Sequence, residues 1–162
     1  MKKVILTFSM FLLITGNVFS AGSSSDEDSA KTKSNYEKAV TLIKVAKKNE
    51  KKGKVEKAIK EYAKAQKLLI ESNDKTPNDA DTLNYLGFTT RKLGDFENGE
   101  KYYLQGLDID PNHKGINEYL GELYVATKRH NLAIERLEVL RSCNCEEYEQ
   151  LKAVIAGEPS KY

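Results

Sequence analysis

A spacing of 34 residues constrains this chain more than any other feature. Leu86-Gly87 recurs as Leu120-Gly121, Tyr85 recurs as Tyr119, and Pro77-Asn78 recurs as Pro111-Asn112. Self-similarity locked to one period of this length is the mark of a helical repeat array. Each unit is a helical hairpin that cannot bury its own apolar face. Stacked units bury a continuous core and leave an extended concave surface. Such a surface binds partners and carries no inherent chemistry. The predicted fold class is all-α.

The apolar pattern divides the chain into hairpins. Ser34 with Glu37 three residues on is a capping box, which predicts a helix from about Asn35. Tyr36, Ala39, Val40, Ile43 and Ala46 follow at helical spacing, and Gly53 is a natural stop. A second helix places Val55, Ala58, Ile59, Tyr62, Ala65 and Leu69 on one face, and Pro77 centres the next turn. The second unit starts near Asp79, with Leu83, Leu86, Gly87, Thr90 and Leu93 as its buried stripe. Gly94-Asp95 turns the chain, and Phe96, Gly99, Tyr103, Gly106 and Leu107 mark the inner face of the return helix. The third unit repeats this with Ile116, Leu120, Gly121, Leu123 and Tyr124, then Ala133, Ile134, Leu137 and Leu140. A short helix with Tyr148, Leu151, Val154 and Ile155 ends at Gly157 and Pro159 and caps the open end of the stack. The units fall at about 36–72, 80–113 and 114–141, with the cap at about 145–156 and a tail at 158–162.

These residues carry a resemblance. Leu83 to Asn112 and Asn117 to Leu140 resemble tetratricopeptide repeats, and Gly53 to Leu69 resembles the second half of one. Gly87, Gly121 and Ala46 match the family's small residue on the first helix. Ala58, Gly99 and Ala133 match the small residue early in the second, and Tyr62, Tyr103 and Leu137 match the large residue four positions later. The resemblance implies a right-handed α-solenoid of about three hairpins behind a linker. Departures are visible. Asn117 replaces a bulky residue, no Trp is present, and Leu140 replaces a small one. Ala58 and Gly99 lie 41 apart rather than 34. Seven extra residues are two helical turns, so they lengthen the helix after Gly53 without rotating its apolar face. Gly99 and Gly106 each cost about 0.8–1 kcal/mol against Ala inside a helix, which predicts close approach of a neighbour.

The same resemblance implies a partner site. Members of the family bind extended peptides or helices along the concave face, lined by the first helix of each unit. Here that face takes in Val40, Ile43, Lys47 and Lys51; then Asp81, Asn84, Phe88, Arg91 and Lys92; then Glu118, Glu122, Val125 and Ala126. Phe88 stands out as an aromatic anchor, the alternative being that it packs on the neighbouring hairpin. Arg91 is placed to pair with a carboxylate of the ligand. The full Lys, Asn and Arg set with which some members grip a C-terminal carboxylate is not found in this sequence.

The ends bear on location. Lys2 and Lys3 precede an apolar run from Val4 to Ile14, broken by Thr15-Gly16, with small residues before Ala21. This is the layout of a cleavable secretory signal, cut near Ser20, and the run is too short for a membrane span. The mature chain is expected to be periplasmic or secreted. Residues 21–34 read as a disordered linker, because Ser, Asp and Lys offer no apolar surface to bury. Without Lys2 and Lys3 the chain has 24 basic and 24 acidic side chains, which gives no case for nucleic acid. The charges are unevenly spread. Residues 31–75 hold 14 lysines against 6 acids, whereas residues 76–162 hold 10 basic and 15 acidic groups. Such a dipole can steer a partner or drive head-to-tail homo-oligomers, and it also fits ordinary solvated helix faces.

Cys143-Asn144-Cys145 is the remaining distinctive feature. A disulfide in an oxidising compartment, two free thiols, and a redox or metal-handling pair are the three readings. No CxxC pair is present, and His113 and His130 are remote, so no metal or cofactor is expected. The chain lacks GxSxG, a glycine-rich phosphate loop and HExxH, and no enzyme is expected. The expected function is a non-enzymatic adaptor or scaffold in an envelope assembly. A redox or metal-handling protein and a self-assembling scaffold are the alternatives.

Overall fold

The computed structural model describes residues 33–161. The N-terminal apolar run, the cleavage point near Ser20, most of the 21–34 linker and Tyr162 lie outside the described residues. Seven helices and no strand are found among the described residues. They are α1 (Asn35–Lys51), α2 (Val55–Lys75), α3 (Ala80–Lys92), α4 (Phe96–Ile109), α5 (Lys114–Ala126), α6 (His130–Leu140) and α7 (Glu146–Ile155). Helices α1/α2, α3/α4 and α5/α6 are hairpins, and α7 lies against α5 and α6. The fold is an α-solenoid of three hairpins closed by a capping helix.

Local chemistry sets the helix ends. The Glu37 N–H donates to Ser34 Oγ at 3.1 Å and the Ser34 N–H donates back to the Glu37 carboxylate at 2.7 Å, satisfying two otherwise orphaned donors. Asp79 accepts from the Asp81 N–H at 3.2 Å and Asp95 from the Asn98 N–H at 3.1 Å, so each caps its helix by satisfying one backbone donor. Each hairpin turns seven residues after its small packing residue. Gly53 has φ 70° and Gly94 has φ 94°, a region that glycine enters without penalty. In the third hairpin this turn residue is Lys128, held at φ 63°. Helix α2 has 21 residues against 14 in α4, so the seven extra residues sit in α2.

Packing explains two of the sequence's oddities. A Cβ on Gly87 would lie 2.5 Å from the Tyr103 ring, and one on Gly99 would lie 3.2 Å from the Gly87 carbonyl oxygen. Helices α3 and α4 therefore meet nearly backbone to backbone, and that contact offsets the cost of glycine inside α4. Asn117 is fully buried, but its Nδ2 donates to the carbonyls of Pro111 and His113 at 3.1 and 3.0 Å. It ties down the turn before α5, where a bulky apolar residue could not.

Four apolar residues expected on inward faces are exposed instead: Val55, Ile59, Phe96 and Ile134. Val55 and Phe96 lie on the correct stripe, but each is the first residue of its helix, beyond the reach of a covering neighbour. Ile59 is one turn further along the same open end. Ile134 belongs to the last second helix among the described residues, where α7 and not another hairpin comes next.

Candidate functional site

The concave wall is formed by the first helices of the hairpins, joined by α7. Its middle is filled by an aromatic ladder. Phe88 of α3 is fully buried, 5.7 Å from the Tyr62 ring of α2 in an edge-on arrangement and 4.9 Å from the Tyr119 ring of α5. Phe88 is thus a core residue rather than an exposed anchor. Tyr119 of α5 covers Phe88 from one side and the long Lys47 side chain of α1 from another, a cover that cannot be read from one hairpin's helical wheel. Lys47 of α1 lies over this ladder, its Nζ 4.5 Å from the centre of the Phe88 ring and donating to the Tyr119 hydroxyl at 3.1 Å. Partial burial lowers the Lys47 pKa to about 8, with Glu118 and Glu122 opposing the shift.

Charged residues of the wall are buried as well. Asn84, Arg91, Glu118 and Glu122 were expected to be exposed, but each is at least nine-tenths buried. The Arg91 guanidinium donates to Glu122 Oε2 at 3.0 Å, while Glu122 Oε1 accepts from the Ser160 hydroxyl at 2.9 Å. The tail after α7 therefore touches the wall. Burial, then the neighbouring Glu122 and Glu147 carboxylates, push the Glu118 pKa up to about 8, so this carboxyl is largely protonated at neutral pH. Lys92 is only partly buried and pairs with Glu50 of α1 at 2.7 Å. Glu50 also accepts from the Tyr62 hydroxyl at 2.7 Å.

The filled middle separates two clefts. The first, about 460 Å³, lies at the N-terminal ends of α3, α5 and α7. It holds Asp81, Asn84 and Glu118 of the expected face, together with Glu147 and Gln150 of the cap. His113 shapes its rim. The Ile116 N–H donates to His113 Nδ1 at 3.1 Å, which leaves Nε2 as the protonated nitrogen facing Asp81 Oδ1 at 3.0 Å. The second cleft, about 420 Å³, lies where the first helices end and the second helices begin. Arg91, Lys92, Glu122 and Val125 of the expected face reach it, beside Val55, Ile59, Phe96 and Val154. The apolar members of this cleft were missed as site residues because periodicity places them on the core stripe. For Val55 and Phe96, a position in the first turn after Gly53 and Gly94 is the signal that sets them apart.

Cys143 and Cys145 are joined by a disulfide in the turn before α7, and neither lines either cleft. Among the described residues no cluster of His, Cys, Asp and Glu could hold a metal ion. Among them, too, no helix is long and apolar enough to cross a membrane.

Comparison with known proteins agrees with this architecture. Residues 80–113, the second hairpin, match the tetratricopeptide repeat family model. No curated protein matches the chain. Among solved structures, the type III secretion translocator chaperone SycD of Yersinia enterocolitica is similar over 74% of this chain and 87% of its own, with a TM-score of 0.53 and 16% identity. That likeness shows the fold. The tetratricopeptide domain of Arabidopsis OM64 is 15% identical over 75% of this chain and 97% of its own, with a TM-score of 0.48. The first such domain of Spaghetti (RPAP3), solved with an HSP90 peptide, is 19% identical over 76% and 98%, with a TM-score of 0.46.

Proposed function

We propose that this chain is a non-enzymatic protein-interaction module, an adaptor or scaffold that seats a peptide or a single helix of a partner protein on its concave wall. The apolar cleft carries this reading. Val55, Ile59 and Phe96 are 57%, 45% and 40% exposed and line one cleft, with Lys92, Glu50 and Arg91 around them. Large apolar side chains gathered in a cleft and rimmed by charge mark a protein-binding surface, because covering them releases ordered water at little polar cost. The N-terminal pattern supports a place outside the cytoplasm, in an envelope assembly, after cleavage near Ser20.

The test is affinity capture of the tagged mature chain from envelope extract, beside a Val55→Ser/Phe96→Ser variant. Both residues are already exposed, so the variant should keep its fold. Proteins captured by the natural chain and lost by the variant support the module. Identical captures would remove the cleft from the reading. N-terminal sequencing of the exported chain should give a start at Ala21, and an intact Met1 in the mature fraction would overturn the location.

A further inference from the structure

We infer that the acidic cleft is a subsite for a guanidinium-bearing side chain, an arginine presented by the partner that the module reading requires. Three unpartnered acceptors carry the inference. Asn84 Oδ1 of α3, Glu118 Oε1 of α5 and Gln150 Oε1 of α7 are buried without a hydrogen-bond partner among the described residues. Each belongs to a residue more than nine-tenths buried, and all three residues line this one cleft. Buried polar atoms are rarely left unpaired, so three on residues of three helices that line one cleft point to a ligand's donors.

The donor pattern selects the ligand. The Gln150 amide orientation is fixed, because its Nε2 donates to Glu146 Oε1 at 2.6 Å, which leaves the oxygen as the free end. Asn84 and Gln150 present acceptors, and a cation seated beside Glu118 draws it to the ionised, accepting form, so the ligand donates at several points at once. Glu147 and Asp81 at the same cleft favour positive charge and reject a carboxylate ligand. A guanidinium offers five N–H donors in a planar fork and gives up its hydration more readily than an ammonium, so it can reach acceptors spread over three helices. Gly115 keeps the floor open: a Cβ there would lie 2.9 Å from Asn84 Nδ2.

The test is a titration of the full ¹⁵N-labelled chain, followed by NMR, with acetyl-Gly-Arg-Gly-amide and with the same peptide carrying citrulline. Citrulline keeps the shape of arginine and loses the charge. The arginine peptide should give saturable shifts on α3, α5 and α7 around Asn84, Glu118 and Gln150. The citrulline peptide should bind at least tenfold more weakly. Glu118→Gln should weaken the arginine peptide at least fivefold while leaving the thermal midpoint at or above that of the natural chain. Equal binding of the two peptides, or shifts scattered over surface carboxylates without saturation, would overturn the subsite. Agmatine binding tenfold more tightly than the peptide would overturn its assignment to a protein partner. Phe96→Ser should leave the arginine titration unchanged. A partner captured through the apolar cleft while the arginine peptide stays silent therefore sinks the subsite alone.

Discussion

The two clefts are cut from the opposite ends of the same helices, and their chemistry differs for that reason. The acidic cleft gathers the N-terminal turns of α3, α5 and α7, where Asp81, Glu146 and Glu147 sit. Carboxylates are favoured there by the partial positive charge of a helix start. The apolar cleft gathers helix C-termini, where Arg91 and Lys92 occupy the last turn of α3, and the first turns of α2 and α4. The glycine turn admits Val55 and Phe96 to positions that no neighbour covers. Helix direction thus sorts charge along the wall, and hairpin turns decide where apolar surface stays open.

Four experiments break or sharpen that contrast. Arg91 lines the apolar cleft and pairs with Glu122 of α5 in the filled middle between the two clefts. Arg91→Met leaves Glu122 as an uncompensated buried charge, and urea unfolding at pH 7 should show a loss of about 3–5 kcal/mol. A loss under about 1 kcal/mol would mean that the Arg91–Glu122 pair does not hold α3 to α5.

The acidic end should respond to pH through Glu118. The folded-state pKa of Glu118 lies above its unfolded value, so its contribution is complete below about pH 4.5 and is lost as pH rises through about 8. It is faced by Lys47 from α1, Arg91 from α3, Glu122 on α5 and Glu147 from α7. Lys47 acts in a different window: its desolvation cost persists below about pH 8 and fades between there and 10.5. Between pH 5 and pH 8 the natural chain should therefore lose on the order of 2–4 kcal/mol more than Glu118→Gln in denaturant titrations. Parallel pH profiles for the two chains would remove Glu118 from the account.

At the apolar end, Phe96→Ser should lower affinity for a captured partner about tenfold, or about 1.4 kcal/mol, with stability unchanged within about 0.5 kcal/mol. A comparable loss of stability would class Phe96 as core and close that cleft. Lys128→Gly touches neither end. It relieves a left-handed backbone at a non-glycine residue, and thermal melts should show a gain of about 0.5–1 kcal/mol with both binding activities intact. No gain would mean that the Lys128 side chain compensates its backbone.

Much of the fold is legible because its determinants are local. Ser34 with Glu37, the Gly53 and Gly94 turns, and the small residues Gly87 and Ala46 act within one hairpin, and the 34-residue period copies them along the chain. The wall is less legible because it is assembled from residues far apart in sequence. Phe88 is off the core stripe of α3, and Tyr62 of α2, Tyr119, 31 residues later, and Lys47 from α1 make it interior. Gln150 gave no signal, since nothing in a short amphipathic cap says that one of its amides faces α3 and α5. The open ends at Val55 and Phe96 were masked by their correct periodicity, which reports the face of a helix and not whether anything covers it.

The Lys47–Tyr119 bond has a consequence for how the molecule comes apart. In a simple repeat array each unit touches only its neighbours, so units can melt one after another like beads leaving a string. Here a side chain of the first hairpin reaches a residue 72 positions away in the third, across the middle one. Opening any one of the three hairpins disrupts the ring stack beneath it. The chain should therefore melt as a single cooperative unit, in which strain applied at one terminus is felt at the other.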